Sequence, residues 1–315
     1  MKLLLACLLA LAFSISVHAE TPADLLAGGR VDEAIETLQQ RLAQAPDDAA
    51  AQNLLCRAYF MLDEWDRGIS ACERAVNLDS SNALYHLWLG RIYGEKADRA
   101  GFLTAAGLAK KVRAEFERAV ELDPSSVAAR TDLAEFYLEA PGIVGGGKDK
   151  ARAQAEALNR LNPAMAQWVS GRLAERAKDE AAAEREYRAA IDASQGGAHA
   201  WLNLAIFYRH TNQLDRMEQS LTTMESRPLD RPESLMDGAS LLLRTNRSVP
   251  MGIRFLRRYL QSPVEQGPAF KAHYLLGQFL EKQGDRPAAA TEFRAALSMA
   301  HTYAPAKEAL HRLEH

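Results

Sequence analysis

From Glu20 onward the apolar residues fall in short amphipathic stretches of helical spacing, each closed by a turn signal. A fixed step of 19 residues links compact positions on successive stretches: Cys56 to Ala75, Gly171 to Ala190, Ala205 to Met224 and Gly277 to Ala296. Such a step predicts a recurring helix–turn–helix unit. Asp79-Ser80-Ser81-Asn82, Asp123-Pro124-Ser125-Ser126 and Asn162-Pro163 read as turns between units. Asn212-Gln213 and Gly284-Asp285 read as turns within them. Alanine, leucine, glutamate and arginine dominate and Val/Ile/Thr runs are rare, which favours helix nearly throughout.

These residues resemble the tetratricopeptide-repeat family. Trp201-x2-Leu204-Ala205-x2-Tyr208 follows the first-helix pattern of that repeat, and His86-x2-Leu89-Gly90-x2-Tyr93 follows it with His in place of Trp. Leu276-Gly277, Ala289-x3-Phe293 and Ala296 carry both halves of a late unit. Leu55-Cys56-x2-Tyr59 and Gly68-x3-Cys72-x2-Ala75 carry both halves of an early one. The stretch from Ala49 to Asn82 is one full period of that family. The resemblance implies an all-α, right-handed α-solenoid. About eight helix pairs begin near Pro22, Ala49, Ala83, Val127, Ala164, Ala198, Glu233 and Phe270, with Arg231–Pro263 the poorest match. Tyr303–Leu313 is expected to be a C-terminal capping helix with a polar outer face. Ala75, Gly90, Ala119, Ala205, Gly277 and Ala296 are then close-packing positions in the core. Tyr59, Tyr93, Tyr137, Tyr187, Tyr208 and Phe293 fill the same seam, and their helical spacing marks them as core rather than as a platform for bases.

Two units break the period. Gly90 to Ala119 is ten residues longer than the standard step, with the excess in 94–107, and Ala134 to Leu158 is five longer, with the excess in 141–147. Both insertions are expected to be loops between the helices of adjacent pairs, side by side at one edge, where such loops often carry function. The second contains Gly142-x4-Gly147-Lys148, most of a phosphate-binding loop. Asp149 stands where a Ser or Thr would hold magnesium, and the segment follows a helix rather than a strand, so nucleotide hydrolysis is not expected. Weak anion binding by free backbone N–H groups stays open.

Residues 1–19 read as a secretory signal peptide: Lys2, the apolar run Leu3–Ile15, then Val17-His18-Ala19 with cleavage after Ala19. Leu4-Leu5-Ala6-Cys7 looks like a lipoprotein box, but it lies too near the start to leave a full apolar region before it. The mature chain, 20–315, is thus expected in the periplasm or outside the cell, with no stable membrane insertion.

Composition narrows the function. The 315 residues are 48% hydrophobic and 25% charged, a balance that suits a folded chain. The net charge of −3 offers no electrostatic footprint for nucleic acid. No nucleophile elbow, zinc-protease motif, dinucleotide fingerprint or Cys-x2-Cys occurs, so neither enzyme activity nor a cofactor is expected. His311 and His315 lie one helical turn apart at the C-terminus with no third ligand nearby, and no metal is expected there. Cys56 and Cys72 fall on the paired helices of one repeat. They form either an intra-repeat disulfide or two buried thiols.

In this family the first helices of the pairs line the concave face. Arg57, Arg91 and Arg172 occupy equivalent first-helix places, Arg209 and Arg244 lie one turn further along, and Glu135 interrupts the series. The arginine fork suits carboxylates, so the stripe points to a groove for an acidic peptide; a solvated face with ordinary ion pairs is the plainer reading. The resulting expectation is a non-enzymatic protein–protein interaction scaffold of the cell envelope. The alternative is a periplasmic small-ligand-binding component of a transport system. An enclosed apolar pocket would favour that alternative, and an open charged groove would favour a peptide.

Overall fold

The computed structural model describes residues 20–262 and 268–315, so residues 1–19, read above as a signal peptide, and with them Cys7, lie outside the described residues. Among these residues there are seventeen α-helices, one 3-10 turn and no strand. The helices form eight consecutive pairs: α1 (Pro22–Ala27) with α2 (Val31–Gln44), α3 (Ala49–Met61) with α4 (Trp65–Leu78), α5 (Ala83–Asp98) with α6 (Phe102–Leu122), and α7 (Val127–Glu139) with α8 (Lys148–Leu161). There follow α9 (Pro163–Arg176) with α10 (Glu180–Ala193), α11 (Ala198–His210) with α12 (Leu214–Glu225), α13 (Glu233–Thr245) with α14 (Val249–Leu260), and α15 (Ala269–Gln283) with α16 (Arg286–Met299). Helix α17 (Ala304–Glu314) ends the array. The starts agree with the repeat reading to within one residue.

The turn residues do what their chemistry suggests. Asp48, Asn82, Ser126 and Asn162 each cap the helix that follows by accepting a hydrogen bond from a first-turn N–H. Asp79 and Asp123 each accept bonds from the N–H and hydroxyl of the serine two residues on, closing matching turns in successive repeats.

Packing within a pair depends on a small residue on the first helix facing a large one on the second. A Cβ on Gly171 would lie 3.0 Å from the Tyr187 ring, and one on Gly277 would lie 2.4 Å from Phe293. Both partners stand at the same offset downstream of their glycine. Gly90 meets Phe116 in the same way despite the ten-residue insertion between them. The six aromatics of the predicted seam are all buried.

The array returns on itself. Leu25, Leu26, Val31, Ala34, Ala58, Met61 and Leu62 from the first three helices form one buried cluster with Phe270, Ala296, Ala300, Tyr303 and Ala306 from the last three. Gly29, at φ +74°, abuts Ala269 so closely that a Cβ would lie 2.7 Å from it. Lys271 Nζ lies 2.9 Å from Asp63 Oδ1, and the His301 N–H donates to Asp32 at 2.6 Å. The capping helix is therefore only partly a polar cap: Ala306 joins this end-to-end seam, and Ala309 and Leu313 join the main core.

The first insertion is not a loop. Residues 94–98 prolong α5 and 102–107 prolong α6, leaving only Arg99–Gly101 as the turn. The segment holds four alanines with Glu95, Lys96, Arg99 and Leu103, whose helix preference outweighs the roughly 1 kcal/mol cost of Gly94 and of Gly107. The second insertion is a turn as expected, with a 3-10 element at Gly142–Val144 and Gly145 at φ +103°. The second turn packs on the body of α6 rather than on the first insertion: Gly145 lies against the side chain of Arg113, six residues beyond 107.

Candidate functional site

The first helices of the pairs line a concave groove of about 1640 Å³ that runs from Phe60 on α3 to Arg244 on α13. Its apolar floor includes Trp88, Met165, Trp168, Leu202 and Ile206. Seven carboxylates and five guanidinium groups also line it, so the wall is acidic by two charges with its two histidines neutral.

The arginine stripe is only partly on this surface. Arg91, Arg172 and Arg244 line the groove, whereas Arg57 and Arg209 are not among its lining residues, and each of these two has a buried Nε without a hydrogen-bond partner. Arg57 and Arg91 are neighbours, as the register of adjacent repeats requires. Their guanidinium carbons lie 5.1 and 4.9 Å from the centre of the Trp88 ring. Burial, then the charge of Arg91, lowers the pKa of Arg57.

Two of the three stripe arginines on the groove are already matched, while Arg244 is exposed and makes no ion pair among the described residues. Arg91 Nε donates to Asp132 at 2.6 Å. Arg172, with a side chain 16% exposed, is held by Glu135 at 3.6 Å, by Glu175 at 3.8 Å and by a short bond to Glu139, which also binds Arg176. An open row of guanidinium groups waiting for an acidic ligand is therefore not what the fold presents. The sequence reading named Glu135 only as a break in the arginine series and did not follow the carboxylates of its helix. Asp132, Glu135 and Glu139 lie at i, i+3 and i+7 on one helix, a face that the same spacing argument would have found.

Two carboxylates are less well matched. Burial pushes the pKa of Glu135 up, against a weaker pull from Arg172, and burial does the same to Asp237, whose nearest guanidinium, that of Arg231, stands 3.9 Å away. Glu175 goes the other way: burial alone would raise it, but bonds from His210 and Tyr187 outweigh that and lower it. His199 sits deep in the wall, 3.5 Å from the Ser234 hydroxyl, and burial followed by the charge of Arg231 pushes it down to about 4.

Cys56 and Cys72 are joined in a disulfide, with Cα atoms 5.2 Å apart and a sequence separation of 16. That separation equals the step from Gly171 to Tyr187 and from Gly277 to Phe293. The bridge therefore stands where other repeats place a glycine against an aromatic ring.

Within the glycine-rich turn itself the backbone N–H groups are already engaged, whereas the α8 N-terminus that follows has no side-chain cap. The N–H groups of Val144, Gly145, Gly146 and Gly147 donate to Pro141, Gly142, Pro141 and Tyr137 carbonyls. A Cβ on Gly146 would fall 1.8 Å from the Ala140 oxygen, so the turn's glycines permit close backbone packing. His311 and His315 stack with ring centres 4.5 Å apart. No helix of the described residues is long and apolar enough to cross a membrane.

The tetratricopeptide-repeat family model matches residues 25–92 and again 253–305, the two ends that meet at the seam. With the uninterrupted array of pairs between them, this chain is a tetratricopeptide-repeat protein. Yeast Tom70 shares 15% identity with it at a TM-score of 0.53, over 96% of this chain and 66% of that one. A chain of the APC/C hetero-tetramer Cut9-Hcn1 shares 13% at 0.41, over 93% and 54%. TTC0263 of Thermus thermophilus shares 17% at 0.49, over 59% and 94%. The chain thus spans little more than half of one of these relatives and just under two thirds of another. At such identities the Tom70 likeness shows the fold alone. No curated protein matches the sequence.

Proposed function

We propose that this chain is a non-catalytic interaction scaffold of the cell envelope that holds a segment of a partner protein in its concave groove. Repeat proteins of this family present such a surface for protein partners, and the groove here exceeds the roughly 300–1,000 Å³ of an ordinary small-molecule pocket. Its charged, open wall favours a peptide over an enclosed small ligand. Envelope placement rests on the leader-like residues 1–19, and the Cys56–Cys72 bridge is in keeping with an oxidising compartment.

The observation that carries the reading is the mixture in the groove wall: an apolar floor that includes the partly exposed Met165 and Ile206, between carboxylates that outnumber the arginines. Because Arg91 and Arg172 are already engaged, an acidic segment would have to displace Asp132 or Glu139. A segment with basic and apolar side chains meets Glu135 and Asp237 without that loss. The test is a photo-crosslinking residue at Met165, with one at exposed Glu156 on α8 as control, in cells of the source organism. Adducts specific to Met165, mapped to one basic-apolar segment and weakened by Glu135→Gln with Asp237→Asn, are expected. Equal labelling from both positions, or a mapped segment that is acidic, would sink the reading.

A further inference from the structure

The edge built by the two insertions carries a surface independent of the groove. Phe102 and Leu103, at the start of α6, are 85% and 84% exposed, and Ile143 of the neighbouring turn is 88% exposed. No described residue covers Phe102 and Leu103, because the prolonged α5–α6 hairpin carries its tip past the point where a standard pair would turn.

The charge around them is opposite in sign to that of the whole protein. Residues 94–113 and 141–152 hold eight basic and three acidic side chains, a net of +5 in a chain of net −3. Several of the basic groups are paired with carboxylates, but Lys110, Lys148 and Lys150 are exposed and make no ion pair among the described residues; Lys148 and Lys150 donate only to the carbonyls of Arg176 and Gly145. The helix also sorts them by depth. Phe102, Ala106 and Lys110 fall at i, i+4 and i+8, as do Leu103, Gly107 and Lys111. The lysines therefore stand about 12 Å behind the apolar tip on the same face.

We propose that this edge is a peripheral docking surface for an anionic lipid membrane. The tip would place Phe102 and Leu103 at the boundary of headgroups and acyl chains, where interfacial apolar groups settle roughly 5–10 Å deep. At that depth the lysines two turns back lie level with the lipid phosphates. A protein partner fits less well: binding hot spots sit in well-packed pockets, whereas Phe102 and Leu103 stand 85% and 84% exposed at the end of a projecting hairpin. A fluid bilayer needs no matching pocket.

The experiment is co-sedimentation of the purified mature protein with phosphatidylethanolamine–phosphatidylglycerol vesicles and, separately, with phosphatidylcholine vesicles. The wild type is expected to sediment with the anionic vesicles and to stay in solution with the neutral ones. Phe102→Ser with Leu103→Ser should lower the membrane partition at least about tenfold while leaving the helical spectrum and melting temperature unchanged. Lys110→Gln, Lys148→Gln and Lys150→Gln together should weaken binding at low salt and flatten its salt dependence. In a Phe102→Trp variant, emission should shift to the blue on anionic vesicles. A wild type that ignores the anionic vesicles would overturn the proposal, as would equal binding by the serine variant. So would recovery of a stoichiometric protein partner held through Phe102 and Leu103 in the absence of lipid binding.

Discussion

The end-to-end seam and the α5–α6 edge both begin from the same difficulty and resolve it differently. A stack of helix pairs leaves apolar surface wherever the stack stops or a unit outgrows its neighbours. At the seam that surface is covered: Phe270, Val31 and Ala306 are wholly buried against elements from the opposite end of the chain. At the edge it is not, and Phe102, Leu103 and Ile143 remain in solvent. Covered apolar surface contributes to stability, and uncovered apolar surface does not. Substitutions in the two regions should therefore separate folding from binding.

The largest effect should come from the seam. Phe270→Ala is expected to destabilise the chain by about 3–5 kcal/mol, read from denaturant midpoints, and to enlarge its radius in small-angle scattering as the ends part. A loss below about 1 kcal/mol with no change in size would mean that the closure adds nothing. Replacing Cys56 and Cys72 by alanine comes next, at about 3 kcal/mol for a bridge that closes a short loop. Because α3 also contributes Ala58 and Met61 to the seam, a loosened second repeat should reduce the protection of seam amides from hydrogen exchange. Unchanged protection would show the two to be independent.

Acid offers a control in the middle of the array. His199 is held down to about 4, below its unfolded value of 6.5, so the unfolded chain binds the extra proton between those values. Its contribution is intact above pH 6.5 and is lost as pH falls towards 4, the loss reaching about 2 kcal/mol by pH 5. His199→Asn should flatten that part of the stability profile and leave the seam variants' losses in place. His86 behaves oppositely: the bond to Glu115 raises its pKa, so its contribution is present in acid and lost as pH rises. A His86 substitution that reproduced the His199 profile would contradict both assignments.

The smallest effects should come from exposed groups. Lys271→Met removes the partly exposed pair with Asp63 at the rim of the seam and should cost under about 1 kcal/mol. Phe102→Ser with Leu103→Ser should stay within about 0.5 kcal/mol of wild type. A large loss there would place these side chains in the core and erase the contrast between the two regions.

Much of this protein could be read from its residues alone, and the parts that could are local. The helix pairs, their limits, the small-against-large packing and the spacing of the two cysteines all follow from interactions within one repeat or between neighbours. A period in sequence records such interactions directly. Insertion 94–107 was misread as a loop because extra residues in a repeat were assigned to the connection, whereas its helix formers extend both flanking helices. Insertion 141–147, with Pro141 and three successive glycines, was read correctly because those residues dictate backbone conformation where they stand.

The arginines show where local reading ends. Equivalent places in stacked repeats brought Arg57 and Arg91 together over Trp88, as register demands. Whether Arg172 meets solvent or Glu139 depends on how α7 and α9 cross, which no spacing within either helix records. The seam lies further still from the sequence. Closure depends on the small rotation between each repeat and the next, summed over eight pairs, and a modest change in any one of them would separate Phe270 from Val31. Tertiary structure alone fixes that sum, because it is set by the packing of every interface at once.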